Sequence, residues 1–289
     1  MTARKSRAVI AITGAALFMV VLDNLIVLST LPAIGRSLHA SLPELEWVVN
    51  AYILSFAVLM LTGAALGERF GRRRVFVGGL VLFSAASAAA ALAPDGGLLI
   101  AARLVQGAGG AVLMPLTLTL LSAAFTAERR AAALGTWSAI SGLGVALGPI
   151  AGGLLTAGLS WHWIFWINVP IGIAAAVLAP RVLEESFGRR ERIDVGGLAL
   201  ASGALLAIVW TTVRGNSVGW GAPLTLFGYA AGATLAVGFV RWERRRAHPM
   251  LPLRLFASSV FSTSNAAGAL LHFSMFGAFF MVVQFLAHV

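Results

Sequence analysis

Apolar positions gather into nine long stretches, at about residues 8–31, 46–66, 75–93, 98–122, 132–156, 162–182, 195–213, 222–241 and 260–286. Each could cross a hydrocarbon core of roughly 30 Å, which takes about 20 helical residues. None alternates apolar and polar residues with a period of two, so membrane helices are predicted and a β-barrel is not. The longest polar interruptions, 184–194 and 241–254, divide the chain into six spans, then two, then one. Within 132–156 the glycines recur at Gly135, Gly144, Gly148, Gly152 and Gly153, with Pro149 among them. Glycines three or four positions apart share a helix face and let a neighbouring backbone approach closely. Pro149 cannot donate to the carbonyl four residues earlier, which predicts a bend there.

Composition agrees with the bilayer. The chain is 59% hydrophobic and 11% charged, with mean hydropathy +0.89; about a quarter of a soluble domain is charged. Its formal charge of +10 raises the question of nucleic acid, but the distribution is that of membrane orientation signals. With the N-terminus inside, eighteen basic residues fall in inner segments, at Arg4, Lys5 and Arg7, Arg69 to Arg74, Arg129 and Arg130, Arg181 to Arg192, and Arg241 to Arg254. Only Arg36 and Arg214 fall outside, and Arg103 lies within a span. The first apolar run continues past Asp23 to Leu31 without a small-residue cleavage site, so an uncleaved span is predicted rather than a signal peptide.

Enzyme chemistry is poorly supplied. Lys5 is the only lysine, so no phosphate-binding GxxxxGK[ST] loop exists and ATP is not the energy source. There is no cysteine, and the five histidines (His39, His162, His248, His272, His288) form neither HExxH nor a close i,i+4 pair. No metal site, catalytic site or cofactor is predicted.

Asp23 is the one acid deep inside a span. A charge at the bilayer centre costs about 2.5–3.5 kcal/mol on insertion scales, so Asp23 should face a cavity or a partner. Burial favours its neutral form, which would let it take up and release a proton near neutral pH. A purely structural carboxylate, bonded to a neighbouring helix, is the alternative. Arg103 shares a helix face with Gly107, Gly110 and Met114, which places its guanidinium above a groove another helix could enter. A positive charge beside a titrating carboxylate holds it ionised, and its withdrawal releases it. The alternative for Arg103 is to reach the outer headgroups. His272 could relay protons or contact a neighbour.

Several of these segments resemble one known family. Gly135, Gly144, Gly148, Pro149, Gly152 and Gly153 match the fifth-helix antiporter motif of proton-coupled exporters in the major facilitator superfamily. Leu22-Asp23-Asn24-Leu25-Ile26-Val27-Leu28-Ser29-Thr30-Leu31-Pro32 resembles the first-helix "LDxTIVNVALP" pattern, with Leu28 at a position usually Asn. Arg103-Leu104-Val105-Gln106-Gly107-Ala108-Gly109-Gly110-Ala111 resembles "RxxQGxGxA" in the fourth helix. Gly67, Glu68, Arg69, Gly71, Arg72 and Arg73 resemble the cytoplasmic "GxLaDRxGRRR" loop, with Ala64 for the first glycine and Glu68 for Asp. Residues 161–170, with His162 for Arg, resemble "WRWIFxINVPIG" at the sixth helix, and physically they read as an outer aromatic belt.

The resemblance implies an all-α, multi-pass cytoplasmic-membrane transporter of the fourteen-span drug:proton antiporter branch. Its domains would be a six-helix bundle at 1–183, two linker helices at 184–254, and the first helix of a second bundle at 255–289. It would export amphipathic, often cationic, drug-like compounds on the proton gradient, with partners limited to lipid, substrate and protons, not nucleic acid or ATP. Asp23, Arg103 and Gln106 would couple proton and substrate, and the 67–73 loop would latch the two bundles on the inner side; orientation alone is the other reading of Arg72 to Arg74. Rivals are an uptake symporter on the same fold and, because nine of fourteen expected spans precede Val289, a truncated or incomplete chain without transport activity.

Overall fold

The computed structural model describes residues 3–188, 194–246, 249 and 251–288; Arg189, Arg190, Arg192, His248 and Val289 lie outside the described residues. The described chain is helical almost throughout. In order come α1 (Ala3–Leu38), α2 (Leu42–Phe70), α3 (Arg72–Ala91), α4 (Gly96–Ala124), α5 (Ala127–Gly158), α6 (Trp163–Trp166), α7 (Asn168–Val182), α8 (Val195–Val218), α9 (Pro223–Arg245), a short 3-10 turn (Leu253–Ala257) and α10 (Ser259–His288). Among the described residues, eight helical segments are long and apolar enough to cross a membrane, α6 and α7 together making one of them. The ninth apolar stretch forms α10.

Local chemistry sets the boundaries. The Glu44 carboxylate accepts the Ser41 N–H at 2.7 Å at the start of α2. Asp95 accepts the Leu98 N–H at 2.8 Å and Asp194 the Gly197 N–H at 3.0 Å, capping α4 and α8. Gly71, at φ +104°, supplies the left-handed turn that separates α2 from α3.

Two compact units are distinguished, Met1–Leu235 and Ala236–Val289. In the first, α1, α3, α4 and α7 make the interior and α2 and α5 pack on it, α2 against α4 and α5 against α1. α8 lies along α2, with the Trp47 and Trp210 ring centroids 4.8 Å apart and Ser202 Oγ donating to the Val58 carbonyl at 2.8 Å. In the second unit, α10 follows the 3-10 turn, and the Glu243 carboxylate accepts the Leu251 N–H at 2.7 Å.

The interior of the first unit has two apolar clusters, one above the other. Val9 to Val20 of α1, Phe76 to Phe83 of α3, Leu113 to Leu121 of α4 and Ala175 and Ala179 of α7 form one. Ile26, Val27, Ile34, Val48, Ala90, Leu99, Trp161 and Phe165 belong to the other. Polar side chains are interspersed between the clusters: Asp23 on α1, Ser84 and Ser87 on α3, Arg103 and Gln106 on α4, Asn168 on α7. All are buried.

Candidate functional site

All of this polar layer but Ser84, which donates to the Leu80 carbonyl of its own helix at 2.8 Å, is one connected site. The Arg103 guanidinium donates through Nη1 to Asp23 Oδ2 in a short contact and to Gln106 Oε1 at 2.8 Å, and through Nε to the Val48 carbonyl at 3.2 Å. Gln106 Nε2 and Asn168 Nδ2 both donate to Asp23 Oδ1 at 2.8 Å. Asn168 Nδ2 also donates to Ser87 Oγ at 3.1 Å, and Ser87 donates to the Phe165 carbonyl at 2.8 Å. The guanidinium carbon stands 4.2 Å from the centre of the Tyr52 ring, whose hydroxyl donates to the Val20 carbonyl at 3.3 Å. Asp23 has no solvent exposure and Arg103 has 1%. Burying an ion costs several kcal/mol even after relaxation, so each member here depends on the others.

Local sequence explains how the helices come this close. A Cβ at Gly107 would fall on the Tyr52 carbonyl, and one at Gly110 would stand 2.9 Å from the Tyr52 hydroxyl. The groove beside Arg103 is therefore occupied by α2, and Arg103 turns inward instead of reaching the headgroups. On the other flank, a Cβ at Gly109 would approach the Phe83 backbone N to 2.9 Å. Pro170 lies in the first turn of α7, where its missing N–H is tolerated, so the helix restarts with Asn168 facing Asp23.

The α5 glycines divide into two groups. Gly144, Gly148 and Gly152 recur every four residues along α1: added Cβ atoms would lie 3.1 Å from Val21, 2.8 Å from Leu25 and 2.9 Å from the Ile26 carbonyl. Gly135 and Gly153 face open space. α5 runs through Pro149 as one helix from Ala127 to Gly158.

The loop after α2 is held by its own unit. Glu68 accepts from Arg72 Nε at 2.7 Å and Nη2 at 2.9 Å. The Glu185 carboxylate takes the N–H groups of Arg73 (2.9 Å) and Arg74 (3.3 Å) at the start of α3, and both guanidinium groups lie 3.7 Å from it. The Ser186 carbonyl accepts the Arg72 N–H at 2.9 Å, and the Glu68 carbonyl accepts the Gly188 N–H at 3.0 Å. Gly67 packs against Leu116 and Arg69 lies over the Phe70 ring. Arg72 to Arg74 are thus more than orientation charges. Lys5 pairs with Glu184 at 2.5 Å, which holds the exposed Glu184 carboxyl below its usual value.

Two smaller expectations change. Trp161 is 3% exposed, packed edge-on to Phe165 and stacked on His162, so this part of the aromatic belt is interior. His272 Nδ1 lies 2.8 Å from the Gly268 carbonyl of its own helix, and its side chain is exposed.

The comparisons with known proteins fit this geometry. The family profile described as Major Facilitator Superfamily matches residues 13–289. The chain belongs to the major facilitator superfamily. It is 39% identical over 274 residues to the tetracenomycin C resistance and export protein of Streptomyces glaucescens, covering 94% of this chain and 51% of that protein. It is 38% identical over 280 residues to the methylenomycin A resistance protein of Bacillus subtilis (strain 168), covering 96% of this chain and 60% of that protein. The chain thus spans between half and two thirds of these relatives' length. Among solved structures, the proton:xylose symporter XylE aligns with a TM-score of 0.58 at 13% identity, over 84% of this chain and 56% of that one, a likeness of fold. The family is one of transporters, so the protein is not an enzyme.

In this major facilitator chain, sequence reasoning brought Asp23, Arg103 and Gln106 together but missed Asn168, Ser87 and Tyr52. Asn168 carried a usable signal, an amide in an apolar span just ahead of a proline; Ser87 and Tyr52 carried none. Glu185 was missed because its partners are distant in sequence.

Proposed function

We propose that the protein is a proton-coupled exporter of amphipathic, often cationic, drug-like compounds, lying in the cytoplasmic membrane with its N-terminus inside. Residues 1–183 act as its first six-helix bundle, 184–254 as two linker helices and 255–289 as the start of a second bundle, as in the fourteen-span branch. The observation that carries the reading is the buried Asp23–Arg103 pair with Gln106 and Asn168 as further donors to the carboxylate. A proton arriving on Asp23 removes its negative charge and leaves Arg103 a buried cation without its counter-ion, a state the bundle must relieve by moving α1 against α4. Proton binding is thereby converted into helix movement. Alternating access follows from movement of one bundle against the other around a midplane cavity. The naming of the relatives for antibiotic resistance and export supports efflux over uptake. The α1–α5 glycine seam supports the movement itself, since closely packed glycines would allow the helix bearing Asp23 to slide against α5.

The test is efflux of a cationic dye by full-length protein in everted vesicles under an imposed pH gradient. Asp23→Asn is expected to insert normally and lose gradient-driven efflux. The zero exposure of Asp23 favours a second reading, a structural brace with no part in proton movement. Retained efflux in Asp23→Asn would establish the brace and dismiss the coupling role, and gradient-driven uptake would dismiss export.

A further inference from the structure

Outside the polar layer, a groove lies between α8 and α9. α8 and α9 touch at a few points: Gly228 meets Thr211, Gly232 meets Ile208, and the Thr212 and Tyr229 hydroxyls lie 3.2 Å apart. Beside these contacts they enclose a groove of about 640 Å³. Its walls are Leu206, Trp210, Leu224, Phe227, Ala231 and Leu235, with Thr211 and Thr225 as minor polar contributors. Arg214 is the one charged residue lining it. Among the described residues, its exposed guanidinium meets the Trp210 ring, 5.5 Å away, and no carboxylate. The groove therefore pairs an apolar floor with a single exposed cation.

We infer that this groove binds one anionic phospholipid, its acyl chain along the floor and its phosphate on Arg214. Dimensions and charge both point to a lipid. From Gly203 to Arg214 the helix rises about 16 Å, half of a hydrocarbon core of roughly 30 Å, so the floor matches one leaflet's depth. A guanidinium presents a planar fork that fits phosphate oxygens, and it discriminates by charge where the floor cannot. Trp210 and the exposed Trp220 belong chemically to the headgroup level where Arg214 lies. An occupant of this kind would fill the space between α8 and α9 where their side chains do not meet, joining two helices that share few direct contacts. The inference is independent of transport direction and of the role of Asp23.

The experiment uses full-length protein in bilayers of mixed phosphatidylcholine and phosphatidylglycerol, with one lipid at a time carrying a photoreactive acyl chain and cross-links mapped by peptide mass. The phosphatidylglycerol probe is expected to label residues 203–235 about fivefold more than the phosphatidylcholine probe, the preference that one interfacial basic residue confers. Arg214→Gln should erase the preference and Arg214→Lys should retain most of it. Ala231→Phe should reduce labelling by both probes, because it fills the floor. Equal labelling by the two lipids, or a preference unchanged in Arg214→Gln, would mean annular lipid only and would overturn the inference. Displacement of the probe by an amphipathic cation that the protein exports would overturn it too, assigning the groove to substrate.

Discussion

Gly148 and Gly153 lie five positions apart on α5, and the same substitution should move stability in opposite directions at the two. At Gly153 an added Cβ meets nothing within 4 Å. Alanine there gains its helix propensity, about 0.8–1.0 kcal/mol over glycine. At Gly148 the added Cβ would stand 2.8 Å from Leu25 Cβ and 3.4 Å from the Ile26 N, so α5 must retreat by at least about 0.6 Å to restore ordinary contact. A gap of about 0.5–1 Å forfeits a quarter to a half of each dispersion contact along the seam, and overpacking typically costs about 1–3 kcal/mol. Set against the same propensity gain, Gly148→Ala should lose up to about 2 kcal/mol. The midpoint of heat-induced aggregation of full-length protein in detergent, measured in parallel, reads the difference. Gly148→Leu should go further, impairing transport per inserted molecule more than expression. Equal shifts for the two alanine variants, or a stabilised Gly148→Ala, would refute the close-contact seam.

Other outcomes follow from the buried charges and the inner loop. Asp23→Ala leaves Arg103 buried without its counter-ion and should cost about 3–5 kcal/mol, while the double variant Asp23→Leu/Arg103→Met should recover most of that stability without recovering efflux; denaturation and dye transport together check both. Glu185→Gln keeps an acceptor at the start of α3 but loses the charge facing Arg73 and Arg74, and should cost about 0.5–1 kcal/mol, with faster proteolysis between residues 183 and 188 as the readout. Lys5 holds the Glu184 carboxyl below the ordinary glutamate value of 4.5. The pair's contribution is therefore fully present above about pH 4.5 and is lost as pH falls through the lower folded value, so the stability difference between wild type and Lys5→Gln should vanish in strong acid.

Helix positions were legible because a span is defined by what it excludes: each of the nine apolar stretches falls on one helix, or on the α6–α7 pair, and overruns its ends by two residues at most. The lateral arrangement was not. Asp23 reads as an isolated acid in sequence because Gln106 and Asn168 are 83 and 145 residues away. Gly144 and Gly153 look equivalent in a motif, yet the helical period turns one toward α1 and the other to open space. The loop beginning at Gly67 announces its charge, but not that Glu185 folds back on it, because no local pattern links residues more than a hundred positions apart.

The distance in sequence between Asp23 and Arg103 has a consequence for how the protein is made. Asp23 leaves the ribosome 80 residues ahead of its partner, and at about 5–20 residues per second that interval is some 4–16 s. During it α1 carries a lone carboxylate whose cost in lipid is about 2.5–3.5 kcal/mol, and α4 later arrives with a lone guanidinium of similar cost. Each helix carries that cost alone and is relieved of it only beside the other. Contact between α1 and α4 is therefore favoured as soon as α4 emerges, and Asn168 can close the site only after α7 has followed. Polar residues that fix the mature bundle thus also favour one order of helix assembly, α1 with α4 first and α7 after them.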